Sequence, residues 1–339
     1  MGGIRRWLEA RWYGAKPPLL LRPLGLLFAC IVSARRRAYR TGLLSSTHPG
    51  VPVIVVGNLS VGGTGKTPLV LWLVQQLQAE GLRVGVVSRG HGAVRLQRAP
   101  RMVSAVDTAD EGGDEALLLA RRAECPVCVG VDRPAAARAL AAEGCQVIVA
   151  DDGLQHYALG RDFEIAVVDG ARGLGNGALL PAGPLREGAR RLAEVDAVVL
   201  NGALLRSLPG PAVGEKTFSM ALQPRQFVRL VTGEGASAAT WRGRRVHAVA
   251  GIGNPDRFFG TLRALGLDVV EHPFGDHYRF TPADLAFDDE RDIVMTEKDA
   301  VKCSAFASGR MWYLSAAIQF ESDDATRLFS RVLARIMGT

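Results

Sequence analysis

Short apolar runs alternate with helical stretches along the first two thirds of the chain. Val51–Val56, Arg83–Ser88, Cys125–Val131, Val147–Asp151, Glu164–Asp169 and Ala197–Asn201 each read as a strand. Pro68–Ala79, Asp114–Ala123 and Pro134–Glu143 read as the helices between them, and 90–113 as a loop-rich excursion. Strands that are apolar throughout are covered on both faces, which is how parallel strands flanked by helices look in sequence. The expected fold class is α/β, a doubly wound and mainly parallel sheet, whose ligands gather at the strand C-terminal ends. Ser88, Asp151 and Asp169 fall at such ends. A stretch rich in proline, glycine and polar residues, about 205–225, suggests a boundary. Beyond it Arg245–Asn254, Leu267–Val270, Asp292–Thr296 and Met311–Leu314 form a second, smaller α/β set, closed by a helix over 322–337.

One turn is chemically specific. The β-branched run ending at Val56 leads into Gly57-Asn-Leu-Ser-Val-Gly62-Gly63-Thr64-Gly65-Lys66-Thr67, which opens a helix. Glycines let backbone N–H groups curl around phosphate oxygens, and the helix N-terminus adds partial positive charge. Lys66 supplies a point charge to the outer phosphates and the Thr67 hydroxyl a ligand for Mg²⁺. The first glycine of the usual P-loop pattern is replaced by Ser60, but the strand–loop–helix context is intact. Lysine is rare here, five against 36 arginines, so its presence at this position is not a product of composition. The expected ligands are ATP and Mg²⁺.

Size and charge refine the picture. At 339 residues the chain is long enough for two domains. Five scattered cysteines argue for a reducing compartment, and Cys125-Pro-Val-Cys128 has no second pair to complete a metal site. Residues 1–40 carry nine basic side chains and one acid, a net +8 in a chain whose total is +7. The same segment is strongly apolar, with Trp7, Trp12, Leu19–Leu21 and Leu24–Val32. The uninterrupted run between Arg22 and Arg35 is too short for the ~20 residues a bilayer crossing needs. No clean small-x-small cleavage site precedes Arg35, which argues against a signal peptide. Apolar residues framed by arginines and tryptophans fit a segment lying in the headgroup layer. A nucleic-acid partner is not expected, because no basic surplus exists beyond the arm. The expected organisation is 1–40 as a basic, membrane-associating helical segment, 41–220 as the P-loop core, and 221–339 as a smaller domain closing over the active site.

Other candidate groups are less specific. Asp151-Asp152 after a strand, beside a P-loop, is placed to hold Mg²⁺ directly or through water. Asp114, after Gly113, is either an N-terminal helix cap or a base for an attacking hydroxyl. Spacing alone does not single out His277 over His247 or His272. The glycine-dense stretch from Gly170 to Glu187 is a surface loop or a site for a polar headgroup beside acyl chains.

In their order and joint presence these segments resemble the tetraacyldisaccharide 4′-kinases, the lipid A 4′-kinases of bacterial outer-membrane biogenesis. The resemblance runs through nearly the whole chain. It includes the basic apolar N-terminus, Gly62–Pro68, Ser88-Arg89-Gly90, Gly113-Asp-Glu115, Asp132-Arg133, Asp151-Asp-Gly with Gln155-His156, and Asp169 to Glu187. It continues in Gly251-Ile-Gly-Asn-Pro255, Asp276–Phe280 and Met295-Thr-Glu-Lys-Asp299. His91, Ala116 and Leu154 depart from the family's usual Tyr, Pro and Phe. The resemblance implies transfer of the ATP γ-phosphoryl group to the 4′-hydroxyl of a membrane-embedded glucosamine disaccharide 1-phosphate, at the cytoplasmic face of the inner membrane, without an obligate protein partner. It implies Asp114 as base assisted by His277, and Lys66 on the phosphates within Gly62–Thr67. Thr67, Asp151 and Asp152 would hold the metal, and Arg186, Glu187, Asn176 and Arg133 would lie near substrate. The competing reading is a P-loop ATPase or GTPase switch. Thr296-Glu-Lys-Asp299 superficially resembles a guanine-reading motif, but its order is wrong.

Overall fold

The structure is a computed structural model describing all residues except 1, 15, 91, 93–98, 207, 209–213 and 339, and the side chains of 2–6 are left aside. His91 therefore lies outside the described residues. Two helices open the chain, α1 (Gly2–Trp12) and α2 (Arg22–Arg40). The first half continues through β1 (Val53–Gly57), α3 (Lys66–Ala79), β2 (Val84–Ser88), β3 (Arg101–Val103), α4 (Ala109–Gly112), α5 (Asp114–Arg122), β4 (Val127–Val129), α6 (Arg133–Ala142), β5 (Val147–Asp151), β6 (Phe163–Asp169) and β7 (Ala197–Asn201). The second half holds β8 (Thr217–Arg229), β9 (Gly235–Ser237), β10 (Arg245–Ala250), α7 (Pro255–Ala264), β11 (Asp268–Pro273), β12 (Ile293–Thr296), α8 (Glu297–Cys303), β13 (Met311–Phe320) and α9 (Asp324–Met337).

Among the described residues all strands join one sheet, in the order β11-β10-β12-β13-β8-β7-β6-β1-β5-β2-β4-β3, with β9 paired to β8. From β8 to β4 the pairings are parallel, as the apolar runs require. The alternation of side chains along each strand divides the first half into two cores. Ile54, Val56, Val147 and Val149 pack with Leu69, Leu73 and Leu117 from α3 and α5 and with Leu328 from α9. Val53, Val55, Ile148 and Ala150 pack with Ala136 and Leu140 from α6 on the opposite face. Helices thus cover both faces, as a doubly wound sheet demands. The second half has its own core, in which Phe227 stacks on Trp241 with ring centroids 4.4 Å apart.

The boundary expected between 220 and 221 falls inside β8, a 13-residue strand that pairs with β7 on one side and β13 on the other. Pro224 and the polar positions of this strand hide it in sequence, since proline seldom sits inside a ladder. It is tolerated where Pro224 faces Ala316, next to a break in register between Leu314 and Ala316. Such irregularities bend strands. Leu222, Pro224, Leu314 and Ala316 all line the cleft described next. The 90–113 excursion is less loop-like than expected, because it contains β3 and α4.

Candidate active site

A cleft of about 1460 Å³ is lined from both halves of the sheet and from α1. The turn from Gly57 to Lys66 forms part of its wall, and its shape is set by neighbours as much as by its glycines. Asn201, at the end of β7, donates from Nδ2 to the Thr64 carbonyl at 2.9 Å, and Asn58 donates to the Gly62 carbonyl at 3.2 Å. Gly65 has φ +92°, and a Cβ there would lie 2.3 Å from Asn201 Nδ2. No other residue fits this position without displacing the asparagine. The loop that follows β6 braces the other side, with Val61 N–H donating to the Pro184 carbonyl and Arg186 N–H to the Leu59 carbonyl.

The two aspartates at the end of β5 differ: Asp152 lines the cleft and Asp151 is buried behind it. Asp152 has φ +49°, a left-handed conformation costly for a non-glycine residue and common at functional sites. Its carboxylate accepts from Arg186 Nη1 at 2.9 and 3.0 Å and lies 3.5 Å from Lys66 Nζ. Burial opposes its charge, but Lys66 and Arg186 outweigh that and hold the carboxyl well below the usual range. Asp151 is 1 % exposed, and neither carboxylate oxygen has a hydrogen-bond partner among the described residues. Burial, then the nearby Glu115 charge, pushes its carboxyl above the usual range. An orphaned acid within reach of the Lys66 charge, on the strand next to the one that leads into the P-loop, is the donor that a hard divalent cation takes. No group of three or more His, Cys, Asp or Glu among the described residues could hold a metal ion. A cation here would therefore rely on Thr67 and phosphate oxygens besides the aspartates, as Mg²⁺ at nucleotide sites does.

Across the cleft, three distant segments meet. Asp114 starts α5 and His277 follows β11, and Nδ1 of the imidazole lies 2.9 and 3.1 Å from the Asp114 oxygens. Asp114 is 3 % exposed at its side chain against 21 % for His277, so the imidazole is the member that lines the cleft. Burial raises the Asp114 carboxyl, but the His277 hydrogen bond and the Lys298 charge more than offset this, and it is held below its ordinary value. His277 also adopts φ +58°. Thus two of the described non-glycine residues with positive φ, Asp152 and His277, stand in the cleft. Lys298, in the first turn of α8, places Nζ 2.9 Å from Glu115 Oε1 and 3.3 Å from His277 Nε2.

The family model for tetraacyldisaccharide-1-P 4′-kinase matches residues 18–336. The chain belongs to this family. It is 50% identical over 311 residues to the tetraacyldisaccharide 4′-kinase of Pseudomonas putida (strain W619), covering 91% of this chain and 90% of that one. It is 46% identical over 336 residues to the enzyme of Methylobacillus flagellatus, covering 98% and 97% of the two chains. The fold is similar to that of LpxK from Aquifex aeolicus in its crystal structure with ATP. That match has a TM-score of 0.76 at 30% identity, and covers 92% of this chain and 98% of the other.

Within this 4′-kinase fold the other residues singled out from sequence take different places. Arg186 lines the cleft, but Glu187, Asn176 and Arg133 do not. Glu187, 2 % exposed, accepts from the Tyr157 hydroxyl and pairs with Arg191. Asn176 donates to the Arg11 and Ala182 carbonyls, and its own N–H donates to the Trp12 carbonyl, which ties the loop to α1. Arg133, 1 % exposed, donates to the Asp151 carbonyl at 2.8 Å. His247 and His272 bond each other at 3.0 Å on β10 and β11, and neither lines the cleft, which separates them from His277. Asp299 is fully buried, accepting from Gly251 N–H and the Thr296 hydroxyl, so it cannot read a base. Lys298, Glu115, Arg172 and Arg257 line the cleft without having been singled out. Lysine scarcity and a cation in a helix's first turn were the available signals for Lys298.

Proposed function

We propose that this chain transfers the γ-phosphoryl group of ATP to the 4′-hydroxyl of a tetraacylated glucosamine disaccharide 1-phosphate, a step of lipid A biosynthesis. Family membership supports the reaction, and the observation that carries its mechanism is the Asp114–His277 pair in the same cleft as Lys66. His277 Nε2 faces the cleft and takes the proton of the attacking hydroxyl, while Asp114, bonded to Nδ1, stabilises the imidazolium that forms. The base is therefore the pair, with His277 meeting the substrate and Asp114 one bond behind it. Lys66 and the P-loop amides hold the transferring phosphates, and Arg186 fixes Asp152. Thr67, Asp151 and Asp152 would hold Mg²⁺, which supplies charge neutralisation when bound. Arg133, Asn176 and Glu187 support the aspartates and the flanking loop from behind.

A lipid acceptor stays in its bilayer, so the enzyme must come to it. Leu19, Leu20, Leu24, Leu26, Leu27 and Ile31 are exposed around the start of α2, and Trp7 is half exposed on α1. No helix of the described residues is long and apolar enough to cross a membrane. This patch, with the arginines of α2, supports peripheral attachment to the cytoplasmic face of the inner membrane. Trp12, the last residue of α1, and Tyr13 line the cleft, so attachment brings the cleft to the lipid. Incubation with radiolabelled ATP, Mg²⁺ and the disaccharide in detergent, followed by thin-layer chromatography, tests the reading. Label on the lipid, lost with Lys66→Ala, is expected, and release of inorganic phosphate alone would refute it.

A further inference from the structure

Arg257 stands in the first turn of α7, the end at which a helix disfavours a cation. Its guanidinium leaves the helix and crosses to the first half of the sheet. Nη2 donates to Asn201 Oδ1 at 3.1 Å, and Nη1 lies 3.5 Å from Asp169 Oδ2. Asp169 and Asn201 are register partners at the ends of β6 and β7, so one fork spans two neighbouring strand ends. Both of these residues are buried. Arg172 reaches in the opposite direction. It follows β6, and its Nη2 donates at 3.2 Å to the carbonyl of Gly253, in the turn that leads into α7. That turn is pressed against the P-loop, since a Cβ on Gly253 would lie 3.2 Å from the Gly63 nitrogen.

Asn201 links Arg257 to the phosphate cradle. A guanidinium has donors only, so the amide oxygen must face Arg257. The amide nitrogen then faces the Thr64 carbonyl, to which it donates at 2.9 Å. A flipped amide would set donor against donor on one side and acceptor against acceptor on the other. The same nitrogen fills the space behind Gly65, where a Cβ would be 2.3 Å away, so an amide that swings displaces the loop.

We propose that Arg257 is a positioning residue for nucleotide binding that acts through Asn201: by bridging Asn201 and Asp169 it holds the amide that holds the P-loop at Thr64. The second half of the sheet thereby sets the shape of a cradle whose own residues all lie in the first. The inference rests on the reading of Gly62–Thr67 as the triphosphate site. Asp169 accepts from the N–H groups of Ala171 and Arg172 through Oδ1, so loss of Arg257 leaves it anchored and falls mainly on Asn201.

The test uses the full-length protein in detergent and has two arms. The first follows hydrogen exchange by mass spectrometry without nucleotide. Arg257→Met should speed exchange several-fold in peptides spanning Gly62–Lys66, while peptides from β5 and α6 keep wild-type rates. The second is calorimetry with a nonhydrolysable ATP analogue and Mg²⁺. Arg257→Met should raise Kd roughly tenfold, and Asn201→Ala at least as much. The double variant should bind no more weakly than Asn201→Ala, because both substitutions break one chain of contacts. Unchanged exchange in the P-loop peptides would overturn the proposal even if Asn201→Ala fails to fold. Losses that add would overturn it too, since Arg257 would then act on the nucleotide without Asn201. A wild type that binds no analogue would sink the functional reading, whereas one that binds it, with P-loop exchange indifferent to Arg257, would sink this inference alone.

Discussion

The two walls of the cleft are built in opposite ways. The donor wall is built largely on one segment, in which Gly62 to Thr67 run consecutively and Asp152 and Arg186 join from elsewhere. The acceptor wall has no local motif. Asp114 and His277 are separated by 163 residues, Glu115 and Lys298 by 183, and both contacts are tertiary. A phosphate cradle can be continuous because backbone N–H groups do the binding and adjacent residues point them together. A base must meet a substrate that arrives between two halves of a sheet, so its parts come from both. Under the proposed function, ATP binding falls to the first wall and proton transfer to the second.

Variants can separate the two. The largest loss is expected from Lys66→Ala, about 10³-fold in kcat with weakened ATP affinity, measured by transfer assay and nucleotide titration. Asp114→Asn and His277→Ala should each reduce kcat by roughly 10²–10³-fold while leaving the KM for ATP nearly unchanged. Because the pair acts as one unit, the double variant should be little worse than either single one, and additive losses would show that the two residues work separately. Arg186→Ala leaves Asp152 with Lys66 alone and should raise the KM for MgATP by roughly tenfold, about 1.4 kcal/mol. The smallest effect on chemistry should come from Leu20, Leu24 and Leu27 changed together to serine. Liposome sedimentation should fall, since each inserted leucine contributes up to about 1.5–3 kcal/mol, while kcat on a detergent-dispersed acceptor stays within about twofold. Unchanged sedimentation would remove the patch on α2 from the account.

The same contrast explains what could be read from sequence. The strands of the first half were legible because burial on both faces leaves them apolar throughout, as Val53–Val56 and Val147–Ala150 show. Lys66 was legible because its chemistry is local. β8 was not, since Pro224 and its polar positions look like a linker until pairing with β13 is known. Asn176 and Glu187 look like ligands in a glycine-dense loop, yet their partners are Arg11, Trp12, Tyr157 and Arg191, none of which spacing reveals. Lys298 carries the same rarity signal as Lys66, but nothing near it in sequence says which carboxylates it will meet.

The most direct test measures affinity for a nonhydrolysable ATP analogue, by calorimetry with Mg²⁺, beside the transfer rate in wild type, Lys66→Ala and His277→Ala. The account predicts that His277→Ala binds the analogue within about threefold of wild type and yet transfers roughly 10²-fold more slowly, whereas Lys66→Ala loses both. Loss of nucleotide binding in His277→Ala, or full transfer by it, would contradict the division of labour between the two walls.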